Sequence, residues 1–103
     1  MIRHIVLLPF REELHDDICM DLLEGLVKLQ KEIPEIKSFS CGRNNSQENL
    51  DRGYLFGFVM EFLTKEDRDI YLNHSAHINY AMDKIIPNLV NGMNSPIVFD
   101  YEL

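Results

Sequence analysis

From Tyr71 to His77 the chain reads Tyr-Leu-Asn-His-Ser-Ala-His, a phenol and two imidazoles within seven residues. Imidazole is the side chain whose ordinary pKa lies nearest neutrality, so it can give or take a proton at physiological pH. A tyrosine beside it can hold a substrate oxygen by hydrogen bond. Facing a cavity, this pair is equipped for general acid–base chemistry. His77 would move the proton, oriented by Asp100 or a backbone carbonyl, and Tyr71 would grip a carbonyl or enolate. Facing solvent, the same residues are only a helix entrance. His4 lies among apolar strand positions. It either reads polarity in a pocket or is satisfied by a neighbour such as Tyr71 or His77. His74 and His77 are spaced to share a metal on one helical face, but no acid or thiol sits beside them. The expectation is therefore no metal and no cofactor. His15 is expected at the surface.

These groups must be positioned by local structure. Ile2–Phe10 alternates as a strand, with Ile2, His4, Val6, Leu8 and Phe10 on one face. Asp16 or Asp17 is placed to cap a helix running to about Glu32, with Ile18, Leu22, Leu23, Leu26, Leu29 and Ile33 as its apolar stripe. Pro34 ends it. Ile36–Arg43 reads as a more polar edge strand, Asn44–Arg52 as loop, and Gly53–Leu63 as the strongest strand. Thr64 caps a short helix reaching about Leu72. A second stretch spans Ala76 to about Val90, with Ile78, Met82, Ile85, Ile86 and Leu89 as its buried stripe and Pro87 kinking its end. Ile97–Tyr101 is the last strand. The order β-α-β-β-α-β predicts one α+β domain over residues 1–103, ferredoxin-like, with a four-stranded antiparallel sheet and helices on one face. Between helix and sheet, Val6, Leu22, Leu26, Phe39, Phe56 and Phe58 are the expected lining of any apolar pocket. The same large side chains would fill a closed core.

Helices cover only one face of such a sheet. Ile5, Leu7, Leu55, Val59, Ile97, Phe99 and Tyr101 fall on the other, where a solvated sheet would alternate cleanly with polar residues. A homodimer packed through this sheet face is the expected solution. The net charge of −7 opposes binding to nucleic acid or to anionic membranes. No apolar run approaches the roughly 20 residues of a membrane span. Met1-Ile2-Arg3-His4 shows no signal-peptide pattern. The two cysteines, Cys19 and Cys41, lack metal-type spacing and are expected as free thiols in a cytoplasmic protein.

In order along the chain, Ile2-Arg3-His4-Ile5-Val6-Leu7, Arg52-Gly53-Tyr54, Val59-Met60-Glu61-Phe62, Tyr71–His77 and Val98-Phe99-Asp100-Tyr101 resemble the stress-responsive dimeric α/β-barrel (Dabb) family. The resemblance implies a ferredoxin-like protomer and a homodimer whose two sheets form a barrel. The family includes a plant polyketide cyclase in which a histidine and a tyrosine act in an aldol cyclisation. By motif match these fall on His77 and Tyr71, and a strand-one histidine falls on His4. A further pocket histidine of that enzyme falls on Phe56, and the family's His-Pro-Ala-His reads His74-Ser75-Ala76-His77. The implied function is a small apolar, oxygen-bearing ligand held between sheet and helices, with cofactor-independent, cyclase-like lyase or isomerase chemistry. The alternatives are a non-catalytic stress-associated dimer with a filled core, and a subunit of a larger assembly contacting others through acidic helices.

Overall fold

A computed structural model describes residues 1–103. Strand β1 (Ile2–Leu8) leads into helix α1 (Asp16–Glu24), which continues through a 3-10 turn (Gly25–Lys28) into α2 (Leu29–Glu32). Strands β2 (Ser38–Arg43) and β3 (Phe56–Phe62) follow, then helices α3 (Lys65–Asn73) and α4 (Ser75–Tyr80). A π turn (Ala81–Ile85) and short 3-10 turns lead to β4 (Ile97–Glu102). The sheet order is β2-β3-β1-β4 and every pairing is antiparallel. This is the expected ferredoxin-like α+β fold, with β2 and β4 at the edges.

β3 shows why the fold forms. Phe56, Phe58, Met60 and Phe62 are buried and the residues between them only half-buried, so one face seeds the core under α1, α3 and α4. The strand starts later than Gly53, because residues 51–54 form a tight turn. Arg52 and Gly53 there take positive φ, and Asp51 accepts from the Gly53 and Tyr54 amides. β1 ends at Leu8, and Phe10 meets Leu89 in an isolated bridge.

Helix α1 is capped by His15, whose ring accepts from the Asp17 amide, and not by Asp16 or Asp17. Asp16 instead binds Arg43 at 2.8 Å, tying α1 to β2. With that start the buried stripe runs Cys19, Leu23, Leu26, Leu29 and Ile33, and Ile18, one position off, is exposed. Both cysteines are free.

The two helical layers meet at Gly25. The Tyr80 hydroxyl donates to the Leu22 carbonyl at 2.6 Å, and a Cβ on Gly25 would lie 2.0 Å from that hydroxyl. Tyr80 therefore points inward, and Ile78 and Met82, each two residues away, point roughly 200° around the helix from it. Both are exposed, which corrects the expected stripe; Ile85 and Leu89 are buried and Ile86 half-buried. Gly25→Ala is expected to destabilise by about 1–2 kcal/mol, since displacing Tyr80 outweighs the gain of about 1 kcal/mol in helix propensity. In a Tyr80→Phe background the penalty should shrink, as chemical denaturation of the four proteins of the cycle will show.

The face away from the helices is two-sided in character. Across one end, Ser38 and Arg3 both bind Glu61, and Arg3 also donates to the Tyr101 hydroxyl. The remaining rows are apolar: Leu7 is 38% exposed, Ile97 45% and Phe99 61%, beside half-buried Ile5 and Val59. No helix is long and apolar enough to cross a membrane.

Candidate active site

His4 is carried on the inner face of β1, directly opposite Asp100 of β4 and Met60 of β3. Tyr71 comes from α3, whose start is fixed by Thr64 accepting from the Asp67 amide. The break at His74 then re-aims the chain. His74 ends α3 and caps α4, its ring accepting from the Ala76 amide at 3.0 Å. One turn into α4, His77 faces back over Tyr71, with ring centroids 4.2 Å apart. His74 is thus spent as a helix cap, and no three metal-ligating side chains converge anywhere in the fold.

These elements enclose a cavity of about 210 Å³. His4, Val6, Leu26, Phe58, Tyr71 and His77 line it, joined by Leu8, Leu72, Ala81, Ile85, Ile86, Pro96 and Val98. Val98 shares the helix-side face with Asp100 yet is 57% exposed, which puts the mouth at the β4 edge. A larger hollow of about 400 Å³ beside Gly42 and Gly57 is lined in equal parts by strand and loop residues and contains no histidine. The smaller cavity is the one that meets the titratable groups.

Its polar atoms follow by elimination. His4 is 3% exposed, and its Nδ1 lies 2.7 Å from Asp100 Oδ1. A carboxylate only accepts, so Nδ1 carries the proton and Nε2 is the ring's free nitrogen. Likewise His77 Nδ1 donates to the Leu72 carbonyl at 3.2 Å, leaving Nε2 free. The Tyr71 hydroxyl has no partner in the chain. Yet no enclosed side-chain nitrogen or oxygen in the fold is unpaired. For His4 and Tyr71, otherwise buried, the remaining open space is the cavity. His4 Nε2 and the Tyr71 hydroxyl thus face one apolar chamber, which His77 also lines.

Burial lowers the His77 pKa, against the pull of the Leu72 carbonyl, and repulsion from His4 and His74 adds to the lowering. His77 is therefore a neutral imidazole at neutral pH, with its Nε2 lone pair available. Burial raises the Tyr71 pKa far above the ordinary phenol value, so it stays a hydrogen-bond donor. A folded-state pKa depressed below the ordinary 6.5 means the unfolded chain binds more protons in that window. The contribution of His77 is full above about 6.5 and lost as pH falls through that value toward the folded pKa. Activity that needs the neutral ring should hold below the ordinary histidine range before its acid limb. An NMR titration of His77 that finds an ordinary or raised pKa contradicts both expectations.

Some expected site residues lie elsewhere. Leu22 is half-buried on α1 and offers its carbonyl to Tyr80. Phe39 stacks behind Phe58, with centroids 5.8 Å apart, and Phe56 packs on Phe10 at the far end of the sheet. These three do not line the cavity. Asp100 orients His4, not His77, because cross-strand pairing puts the two side by side. Sequence reasoning missed Val98 and Arg68. Strand parity with Asp100 marks the first, and a position one helical turn before Tyr71 marks the second.

A four-stranded antiparallel sheet in this order, with its helices on one face and a histidine–tyrosine cavity between, defines a ferredoxin-like α+β domain with a helix-side pocket. More narrowly, the chain belongs to the stress responsive A/B barrel domain (Dabb) family, whose sequence profile matches residues 2–103. It is 28% identical over 101 residues to the stress-response A/B barrel domain-containing protein HS1 of Arabidopsis thaliana, covering 98% of this chain and 88% of that one. It is 25% identical over 80 residues to olivetolic acid cyclase of Cannabis sativa, covering 78% and 79% respectively. Among solved structures it is similar to a dimeric ferredoxin-like protein of unknown function from Jannaschia. The TM-score there is 0.85 at 27% identity, over 99% of this chain and 98% of the other.

Proposed function

We propose that this protein is a homodimer joined through the outer sheet face, and that it binds a small apolar, oxygen-bearing molecule between sheet and helices and moves a proton on it without a cofactor. One observation carries the reading: His4 Nε2 and the Tyr71 hydroxyl are left free toward a single apolar cavity that His77, its Nε2 unpaired, also lines. Apolar walls with a few convergent polar groups are the usual form of a ligand site. His77 is the base and Tyr71 the donor to the substrate oxygen. The volume sets the ligand's size. A cavity of about 150 Å³ holds benzene, and drug-sized sites begin near 300 Å³. The cavity of about 210 Å³ therefore suits one substituted ring or a comparable short chain. Similarity to olivetolic acid cyclase supports cyclase-like lyase or isomerase chemistry, as does the dimeric state of the Jannaschia protein for the assembly.

The test is a thermal-shift and NMR screen of one-ring phenols, aryl ketones and short polyketide-like compounds. Binders should raise the melting temperature and perturb the Tyr71 and His77 ring signals. A screen in which no compound moves either signal sinks the reading.

A further inference from the structure

His4, Asp100 and Arg68 form a chain from the cavity to the surface. Asp100 Oδ1 takes the His4 Nδ1 proton at 2.7 Å, and its Oδ2 accepts from Arg68 Nη1 at 3.3 Å. The three side chains are 4%, 22% and 21% exposed, in that order. A carboxylate paired on one oxygen with an imidazole and on the other with a guanidinium is held in place from both sides, and it fixes the tautomer of the ring. Joining β1 to β4 does not need this, because the strands already pair from Ile2↔Glu102 to Leu7↔Ile97. A purely structural histidine would also have no reason to leave Nε2 free toward a chamber that it shares with His77.

We infer that His4 is a second proton-transfer group of the cavity, the donor that works opposite His77, with Asp100 and Arg68 as the positioning residues that hold it so. This rests on the reading of the cavity as a proton-transfer site. The two rings differ in surroundings. His4 Nδ1 faces the Asp100 carboxylate, whereas His77 Nδ1 faces only the Leu72 carbonyl among apolar walls. The groups facing His4 are Asp100 from β4, Tyr71 from α3, His77 from α4, and the rings of Phe58 and Phe62 from β3. Among these Asp100 is the sole anion. Two charged imidazoles in one small chamber repel, so the pair works with one proton between them. Groups in distinct surroundings divide the acid and base roles.

The substrate class is a small carbonyl compound with an acidic C–H beside the carbonyl. His77 Nε2 removes that proton. The C–H electron pair becomes the new C=C bond, and the carbonyl π pair moves onto oxygen. The Tyr71 hydroxyl holds that oxygen while His4, which enters the step as the imidazolium with Nδ1–H on Asp100, delivers its Nε2 proton to it and keeps the Nδ1 proton. The products are the neutral enol, protonated His77 and neutral His4, so charge and atoms balance. The reverse step, or proton exchange through solvent, resets the pair.

Acetophenone, one ring with an enolisable methyl ketone, is the probe. Binding to the intact protein is followed by imidazole ¹⁵N spectra, and catalysis by loss of the methyl signal in D₂O. In the wild type the His4 Nε2 resonance should shift on binding, and methyl exchange should exceed that of buffer. His4→Gln should slow exchange about hundredfold. Asp100→Asn should lose most of the same factor with little change in KM, Asp100→Glu should recover part of it, and Arg68→Gln should show a smaller loss. Arg68 lies at the helix surface, so its variant keeps the test open if an Asp100 variant folds poorly. Exchange abolished by His77→Gln but untouched by changes at His4, Asp100 and Arg68 overturns the inference and leaves the cavity reading standing. Binding without exchange in the wild type also overturns it. Absence of binding removes the cavity reading itself, and the inference with it.

Discussion

Replacing His77 by glutamine should cost about 10²- to 10⁴-fold in proton transfer, the usual worth of a positioned acid–base group. Glutamine is close in size and can still donate to the Leu72 carbonyl, which His77 Nδ1 reaches at 3.2 Å. What it lacks is a basic nitrogen toward the cavity. The half-buried position and the neutral state of the native ring mean that no charge is removed from the fold. The melting temperature and the mass in solution should therefore change little while turnover falls. His77→Ala should add a cavity at the packed Tyr71 ring and lower stability as well. A glutamine variant that keeps wild-type turnover on any substrate found by the screen would remove His77 from the chemistry.

The fold was readable because periodicity carries it. Strict alternation in Phe56–Phe62 and Ile2–Leu8 gives two central strands, and helical spacing in 19–33 gives the helix that covers them. Errors arose where one residue's anchoring sets the phase of a helix. Ile78 and Met82 satisfy an apolar period, but Tyr80 is fixed inward by a glycine-made recess some fifty residues earlier in the chain, and the helix rolls to suit it. Pro87, which has no amide proton, then favours the π turn in which Ile86 bonds back to Ala81, bringing Ile85 and Ile86 to the cavity. Such long-range contacts leave no trace in a local window. The His15 cap was missed for a simpler reason. Aspartates are the commoner cap, and here Asp16 is drawn away by Arg43.

The candidate site was legible in part. Residues 71–77 announce their chemistry by type and spacing, and β1 parity places His4 on the helix side. Which carboxylate serves which histidine is a matter of strand register, and register depends on the whole sheet. Asp100 pairs with His4 because their positions face each other across β1 and β4. Phenylalanines at 39 and 56 are the right type for a pocket wall but sit on an edge strand and at the far end of β3, so they pack on neighbouring rings.

Phe99→Asp should dissociate the proposed dimer while leaving the protomer folded. In a single protomer Phe99 is 61% exposed, opposite Ile5, so a carboxylate there meets water and breaks no contact of the monomer core. In a two-fold interface every substitution appears twice. Losing a buried phenylalanine costs about 1.5–3 kcal/mol, and burying an unpaired carboxylate costs several kcal/mol more. Doubled, this exceeds about 5 kcal/mol, enough to weaken association by more than about 10³-fold. The polar end of the same face is no obstacle to association. Arg3, Ser38, Glu61 and Tyr101 satisfy one another within the protomer, so covering them leaves no group without a partner. Sedimentation at micromolar protein should show a dimer for the wild type and a monomer with unchanged far-UV circular dichroism for the variant. A wild type that sediments as a folded monomer would mean that this apolar face is stable against water alone, and the two-sheet barrel would have to be given up.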